Sequence, residues 1–369
     1  MSGIQKVTMP KWGLSMKEGK IAKWRVAEGA SIEAGAEIVD IETEKIASAA
    51  EAPAKGVVRR LIAQEGEVVP VSGLIAVIAD PSVADGEIDA FVDDFKAHFV
   101  PEAAEEEAQG PQPETLELEG HALRYLKKGE GLKAVILLHG FGGDLNNWLF
   151  NHDALARKHA VYALDLPGHG GSSKDVGEGT LQSMAGVVHK FMDALKIDTA
   201  HLVGHSMGGA IALAFALAHP GRARSLALIS SAGLGPEINA EYLEGFVASG
   251  RRKEIKPYLD LLFADPNLVS RQLVDDILKF KRLDGVEKAL RTIMGAFVRG
   301  GRQSLVLRDR VSEIKAPLLL IWGQEDRIIP AGHAKGVPGA SVHVLPGKGH
   351  MVQMEAAHEV NALIGASLE

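Results

Sequence analysis

The chain of 369 residues contains no cysteine. That excludes disulfides, thiolate metal sites and a cysteine nucleophile, and no metal cluster is expected. Long apolar runs are missing too: none approaches the roughly 18 residues needed to span a bilayer, so no membrane role is expected. No apolar leader follows Met1, and a cytoplasmic location is the expectation. Basic residues are scarce in one place. Between Asp80 and Glu114 there are eleven acids against a single base, Lys96, which puts −10 into this stretch and leaves +2 for everything else in a chain of net charge −8. Such a distribution is not the footprint of nucleic-acid binding; the acidity marks a connector. The length suits two or three domains, and a hydrophobic content of 46% is enough for a sizeable core.

What is present begins with a repeat. The segment Gly19 to Gly29 is echoed by Gly56 to Gly66 at an offset of 37 residues, with Glu28 matching Glu65. Ile38 and Ile41 fall on Ile75 and Ile78 at the same offset. Two similar strand-rich halves imply a small all-β sandwich with approximate two-fold symmetry. Lys45, in Glu42-Thr43-Glu44-Lys45-Ile46, lies near the junction of the halves, where a hairpin tip would present it as a handle.

After Pro81, Ile88, Phe91, Val92, Phe95 and Phe99 recur at helical spacing. This stripe must be buried, either against the second half of the chain or against a partner subunit. Residues 101–114 have no apolar anchor and read as a mobile linker. From Thr115 onward, strand-like runs (116–118, 122–126, 134–138, 160–164, 201–203, 226–229, 318–321 and 342–345) are separated by helical patterns. A mostly parallel sheet covered on both faces follows. Residues from about 234 to 310 show helical patterns alone and read as an inserted cap.

Gly204-His205-Ser206-Met207-Gly208 matches the Gly-x-Ser-x-Gly turn, with an apolar strand before it and an Ala/Leu-rich helix after it. The turn lifts Ser206 over a helix N-terminus, where a developing anion is favoured. A serine nucleophile needs a base. Asp326 and His350 each stand just past a predicted strand, in the order serine, acid, histidine. His350 is then the general base and Asp326 the group that fixes its tautomer, with Glu325 the competing acid. His139-Gly140-Phe141-Gly142-Gly143 follows another strand and supplies an oxyanion loop; the donors expected are the backbone N–H groups of Phe141 and Met207. Asp165 to Gly170 reads as a structural loop and His169 as a turn residue. Asn146, Asn147 and Trp148 line the pocket or merely begin a helix. Arg251, Arg252, Lys253 and Lys256 are either a phosphate-binding edge or a solvated helix face, and the latter is favoured.

Met9-Pro10, Glu18-Gly19, Glu28-Gly29, Glu42 to Lys45 and Gly56 together resemble a lipoyl domain over residues 1–80. In that family the matching lysine carries lipoate; biotin carriers place Met on both sides, where Glu44 and Ile46 stand here. Residues 115–369 resemble an α/β-hydrolase-fold domain, joined to the first by residues 81–114. The pairing resembles the E2 acetyltransferases of acetoin dehydrogenase complexes. Other acyltransferases of this kind carry His-x-x-x-Asp-Gly, and neither Asp85-Gly86 nor Asp284-Gly285 has that histidine. What the resemblance implies is acetyl transfer from dihydrolipoyl-Lys45 to coenzyme A. It further implies a thiamine-diphosphate-dependent E1, a flavoprotein dihydrolipoamide dehydrogenase E3, a lipoate ligase and a homo-oligomeric assembly. A serine hydrolase of the same fold carrying a lipoyl domain is the alternative.

Overall fold

A computed structural model describes residues 3–12, 16–43, 47–99 and 111–369. The chain divides into two compact units, the first of Met1–Gly110 with Ser270–Leu273 and the second of Pro111–Val269 with Val274–Glu369. Lys45, the expected attachment site, lies outside the described residues.

The first unit is a sandwich of two four-stranded sheets. One has the order Ile4–Thr8, Leu74–Ala79, Gly56–Leu61, Ser31–Ile32; the other runs Ala47–Glu51, Glu37–Glu42, Glu18–Trp24, Val68–Pro70. Ile21, Ile38, Val39, Ile41, Ile75 and Ile78 fill the space between them with next to no exposure, as alternating strand residues do when one face is buried. The 37-residue repeat is realised in hydrogen bonds. Gly29 donates to Val58 O and Gly66 donates to Ile21 O, each at 2.7 Å. Leu61 N–H donates to Glu28 Oε1 at 2.7 Å, and Trp24 N–H donates to Glu65 Oε1 at 2.9 Å. Every pair maps onto the other by the same offset. Gly29 and Gly66 have φ of 86° and 87°, the left-handed region that favours glycine after each glutamate.

The amphipathic stripe does form a helix, Asp85–His98, but its destination differs from expectation. Ile88 and Val92 are buried with Leu74, Val77 and Ala79, and Phe91 and Phe95 pack beside them. The helix therefore covers the outer face of the first unit's own sheet. Arg59 and Arg60 fix it through Asp85 (2.8 and 3.3 Å), and Arg60 also reaches Asp89 (3.0 Å). The reason is visible in Leu74–Ala79, all six residues of which are buried. A strand apolar on both faces needs a cover on each.

The second unit is built on an eight-stranded sheet. Its order is Ala340–Leu345, Leu318–Gly323, Ala223–Ile229, Ala200–His205, Ala134–Leu138, Ala160–Leu164, His121–Lys128, Glu114–Leu118. The first six are mutually parallel and the last two form the expected antiparallel edge hairpin. The stretch between Leu234 and Arg310 holds the helices Ala240–Ala248, Arg252–Leu259, Arg271–Lys281 and Val286–Phe297. It also holds a two-stranded hairpin, Val298–Arg299 with Arg302–Gln303, which a purely helical reading missed. Gly300 and Gly301, both at positive φ, make its two-residue turn, as tight hairpins require. Among the described residues, no helix is long and apolar enough to cross a membrane.

Candidate active site

The strand Ala200–His205 runs straight into Ser206, and the helix Met207–Ala218 starts at the next residue. Ser206 sits at φ 54°, ψ −117°; such a conformation costs a non-glycine residue of order 1–3 kcal/mol and persists only where the surroundings enforce it. They do so here. Its N–H donates to Ile229 O at 2.9 Å, and its carbonyl accepts from Ala232 N at 3.0 Å. The flanking glycines are steric necessities: a Cβ on Gly204 would stand 2.4 Å from Gly208 O, and one on Gly208 would stand 2.2 Å from Leu138 O.

Parallel neighbours Leu318–Gly323 and Ala340–Leu345 both end at the same edge of the sheet, and the turns after them carry Asp326 and His350. The two side chains meet: His350 Nδ1 lies 2.8 Å from Asp326 Oδ2, and both are buried. A carboxylate only accepts, so the ring carries a proton on Nδ1, and in the neutral ring the lone pair is on Nε2. Asp326 Oδ1 accepts the N–H groups of Ile328 and Ile329 at 2.8 and 2.9 Å, which fixes the carboxylate plane. Glu325, the competitor, is exposed.

Ser206 is tied to this pair through its neighbour. His205, 2% exposed, donates from Nε2 to the carbonyl of His350 at 3.0 Å, with the two rings 4.7 Å apart. Burial holds the His205 ring well below the usual histidine range. Beside His350, Glu355 accepts Gly349 N–H at 2.8 Å and Ala264 N–H at 3.0 Å. Burial pushes its carboxyl up to about 6. Neither His205 nor Glu355 was singled out from sequence; only the adjacency of His205 to Ser206 could have pointed to it.

The loop after Ala134–Leu138 passes against the elbow, since a Cβ on Gly140 would stand 3.0 Å from Ser206 Cβ. Among the described residues the N–H groups of Phe141 and Met207 have no protein acceptor. Two histidines shape this loop. His139, fully buried, donates from Nδ1 to Gly140 O at 2.7 Å and accepts Leu166 N–H on Nε2 at 3.0 Å. His169, also fully buried, accepts Gly142 N–H on Nε2 at 3.0 Å and donates from Nδ1 to Pro167 O at 3.0 Å. Both roles need a neutral ring, and burial supplies it: His139 is lowered, and His169 is lowered to about 3. His169 stands in a turn, as read from the sequence, and in addition its ring holds the loop that carries Phe141. Asp165 anchors the second loop, accepting Leu145 N–H at 2.8 Å and Gly171 N–H at 2.7 Å.

Asn146 is exposed and Trp148 is fully buried in a short helical turn capped by Asp144, which fits a helix start. Of the basic run, Arg252 pairs with Asp275, Lys256 with Asp260 at 2.7 Å and Arg251 with Glu254 at 3.9 Å. These cations carry their own counter-ions, in keeping with a solvated helix face.

Comparison with known proteins agrees with this division. Residues 133–357 match the family described as alpha/beta hydrolase fold, and residues 5–78 match the one described as biotin-requiring enzyme. A dihydrolipoyllysine-residue acetyltransferase component of an acetoin cleaving system, from Pseudomonas putida, is 51% identical over 362 residues, covering 98% of this chain and 97% of that protein. Its namesake from Cupriavidus necator is 48% identical, covering 97% of this chain and 96% of that protein. Among solved structures, a bacterial membrane phospholipase A aligns with a TM-score of 0.64 and 26% identity over 76% of this chain and 96% of its own. The chain belongs to the family of dihydrolipoyllysine-residue acetyltransferase components of acetoin cleaving systems.

Proposed function

We propose that the second unit transfers an acetyl group from a dihydrolipoyl thioester to coenzyme A, with Ser206 as nucleophile, His350 as base and acid, and Asp326 as its orienting carboxylate. The observation that carries this reading is the 2.8 Å His350–Asp326 pair, bonded through His205 to the turn that bears Ser206.

Strands Glu37–Glu42 and Ala47–Glu51 are paired as far as Glu42 opposite Ala47, which supports Lys45, between them in sequence, as the lipoylated residue. Lipoate there supplies a dithiol that carries acetyl as a thioester. The protein's own groups do the rest. His350 Nε2 takes the Ser206 proton as Oγ attacks the thioester carbonyl, and the N–H groups of Phe141 and Met207 hold the negative oxygen. The carbon–sulfur bond breaks, and His350 returns the proton to the departing sulfur. Coenzyme A then gives its thiol proton to His350, its sulfur attacks acetyl-Ser206, and Ser206 leaves with the proton restored. Throughout, Asp326 keeps Nδ1 protonated and offsets the imidazolium charge.

Exchange of one thioester for another is nearly balanced, whereas hydrolysis runs downhill, so the site must exclude water kinetically. The helical segment between Leu234 and Arg310 is suited to act as that cap. Phe246 within it lies 6.0 Å, ring to ring, from Phe141. A thiamine-diphosphate-dependent enzyme loads the acetyl group in this scheme, a flavoprotein dehydrogenase reoxidises the dithiol, and a lipoate ligase modifies Lys45.

The test supplies the whole protein with acetyl-dihydrolipoamide, with and without coenzyme A. Acetyl-coenzyme A should form in step with thioester loss, and little acetate without the acceptor. Acetate released at the same rate without coenzyme A would replace this reading with a serine hydrolase.

A further inference from the structure

The cap segment contains a cavity of about 100 Å³ between residues 247–250 and the stretch from Leu278 to Leu290. Its polar lining comes from Ser249, Lys281, Arg282 and Glu287, set among apolar residues such as Val247 and Leu290. The charges are unequal in their company. Glu287 is neutralised by Arg291 at 2.8 Å. Lys281 and Arg282 make no ion pair among the described residues, although nearby Arg252, Lys256 and Lys279 each have an aspartate partner.

Lys281 is half-buried, and among the described residues its ammonium donates to the carbonyl oxygens of Phe246 and Val247 and lies over the face of the Phe246 ring at 4.9 Å. Those carbonyls belong to the last turn of the helix Ala240–Ala248, where a lysine is a favourable cap. Capping uses two of its three donors, and the helix end offers only about half a unit of negative charge. Glu287, on the same cavity wall, acts on this cation from a distance but forms no ion pair with it and is itself paired with Arg291; burial outweighs that attraction and lowers Lys281 to about 8. Uncompensated charge at the wall of a cavity is costly unless an anion completes it. The cavity also has a link to the chemistry, since Phe246, whose carbonyl binds Lys281, packs on Phe141 of the oxyanion loop.

We infer that this cavity is a phosphate subsite for coenzyme A, with Lys281 and Arg282 as the donors that anchor the phosphate groups while the thiol arm reaches past Phe246 toward Ser206. The assignment rests on the acetyl-to-coenzyme A reading and adds to it a place for the polyanionic end of the acceptor.

The experiment compares two acceptors on the full-length protein: coenzyme A, and pantetheine, which has the thiol arm but no phosphate. Arg282→Gln, an exposed site with no cap to lose, and Lys281→Met should each raise KM for coenzyme A roughly tenfold, the effect of losing one charge-assisted bond. KM for pantetheine should stay within about twofold. Equal changes for both acceptors, or no change for either, would overturn the subsite. Calorimetric titration of the native protein with 3′-phosphoadenosine 5′-phosphate reads the same site without catalysis. Binding that Arg282→Gln weakens supports it; no binding, or displacement by equimolar inorganic phosphate, overturns it. Should the native protein form no acetyl-coenzyme A at all, the functional reading fails, and this titration reports on the cavity separately.

Discussion

His169 accepts the backbone N–H of Gly142 on Nε2 at 3.0 Å, so a buried histidine from one loop sets the course of the loop that carries Phe141. The ring must be neutral to accept, and burial that lowers it to about 3 keeps it so across the working pH range. Replacing His169 by Leu strands the Gly142 donor and frees the loop that carries Phe141, the proposed oxyanion donor. We expect kcat to fall by roughly ten- to a hundredfold with KM nearly unchanged, since the loss falls on transition-state charge stabilisation. His169→Gln, which keeps an acceptor, should recover part of the rate in the same steady-state assay.

Asp326 has two jobs that one substitution separates. In Asp326→Asn the oxygen that accepts Ile328 and Ile329 N–H is retained, so the fold should survive, while the atom facing His350 becomes a donor and imposes the wrong tautomer. The transfer rate should drop by about 10³–10⁴, with thermal melting within a few degrees of native. Activity within tenfold of native would move the acid role elsewhere.

Ile88, fully buried against Leu74 and Val77, makes the acidic helix part of the first unit. Ile88→Ala should therefore destabilise that unit by about 2–4 kcal/mol through transfer and cavity terms. Urea unfolding of a Trp148→Phe/Trp322→Phe background, in which Trp12 and Trp24 of the first unit are the remaining tryptophans, reads this by fluorescence. A shift below about 0.5 kcal/mol would mean that the helix is dispensable to the unit.

Glu355 gives a pH signature. Burial raises its carboxyl from the ordinary 4.5 to about 6, so between those values the folded protein binds more protons than the unfolded one. Stability consequently falls as pH rises through that window, by at most about 1.4 kcal/mol per pH unit from this group. In melting curves from pH 4.5 to 7, the native protein should lose ground relative to Glu355→Gln; parallel curves would contradict the assignment.

These sites differ in how far the sequence foretold them, for physical reasons. Ser206, Asp326 and His350 are legible because each follows an apolar strand, and a parallel sheet brings all strand ends to one edge. The repeat linking Glu28 and Glu65 is legible because two-fold symmetry forces equivalent turns to use equivalent residues. The path of the helix Asp85–His98 was not, because an amphipathic stripe states that a face will be buried but not against what. Leu74–Ala79, apolar at all six positions, held that information. His169 and Glu355 were opaque for another reason. Their partners are backbone N–H groups far along the chain, and a main-chain donor leaves no mark on residue identity.

The central claim, that Ser206 itself carries the acetyl group, is open to one direct measurement. Native protein mixed with acetyl-dihydrolipoamide in the absence of coenzyme A is quenched in acid within the first turnover and its intact and peptide masses recorded. An acetyl group on the peptide containing Ser206, discharged on addition of coenzyme A and absent in Ser206→Ala, is the predicted result. Acetyl-coenzyme A formation at full rate with no acetyl ever found on that peptide would contradict it.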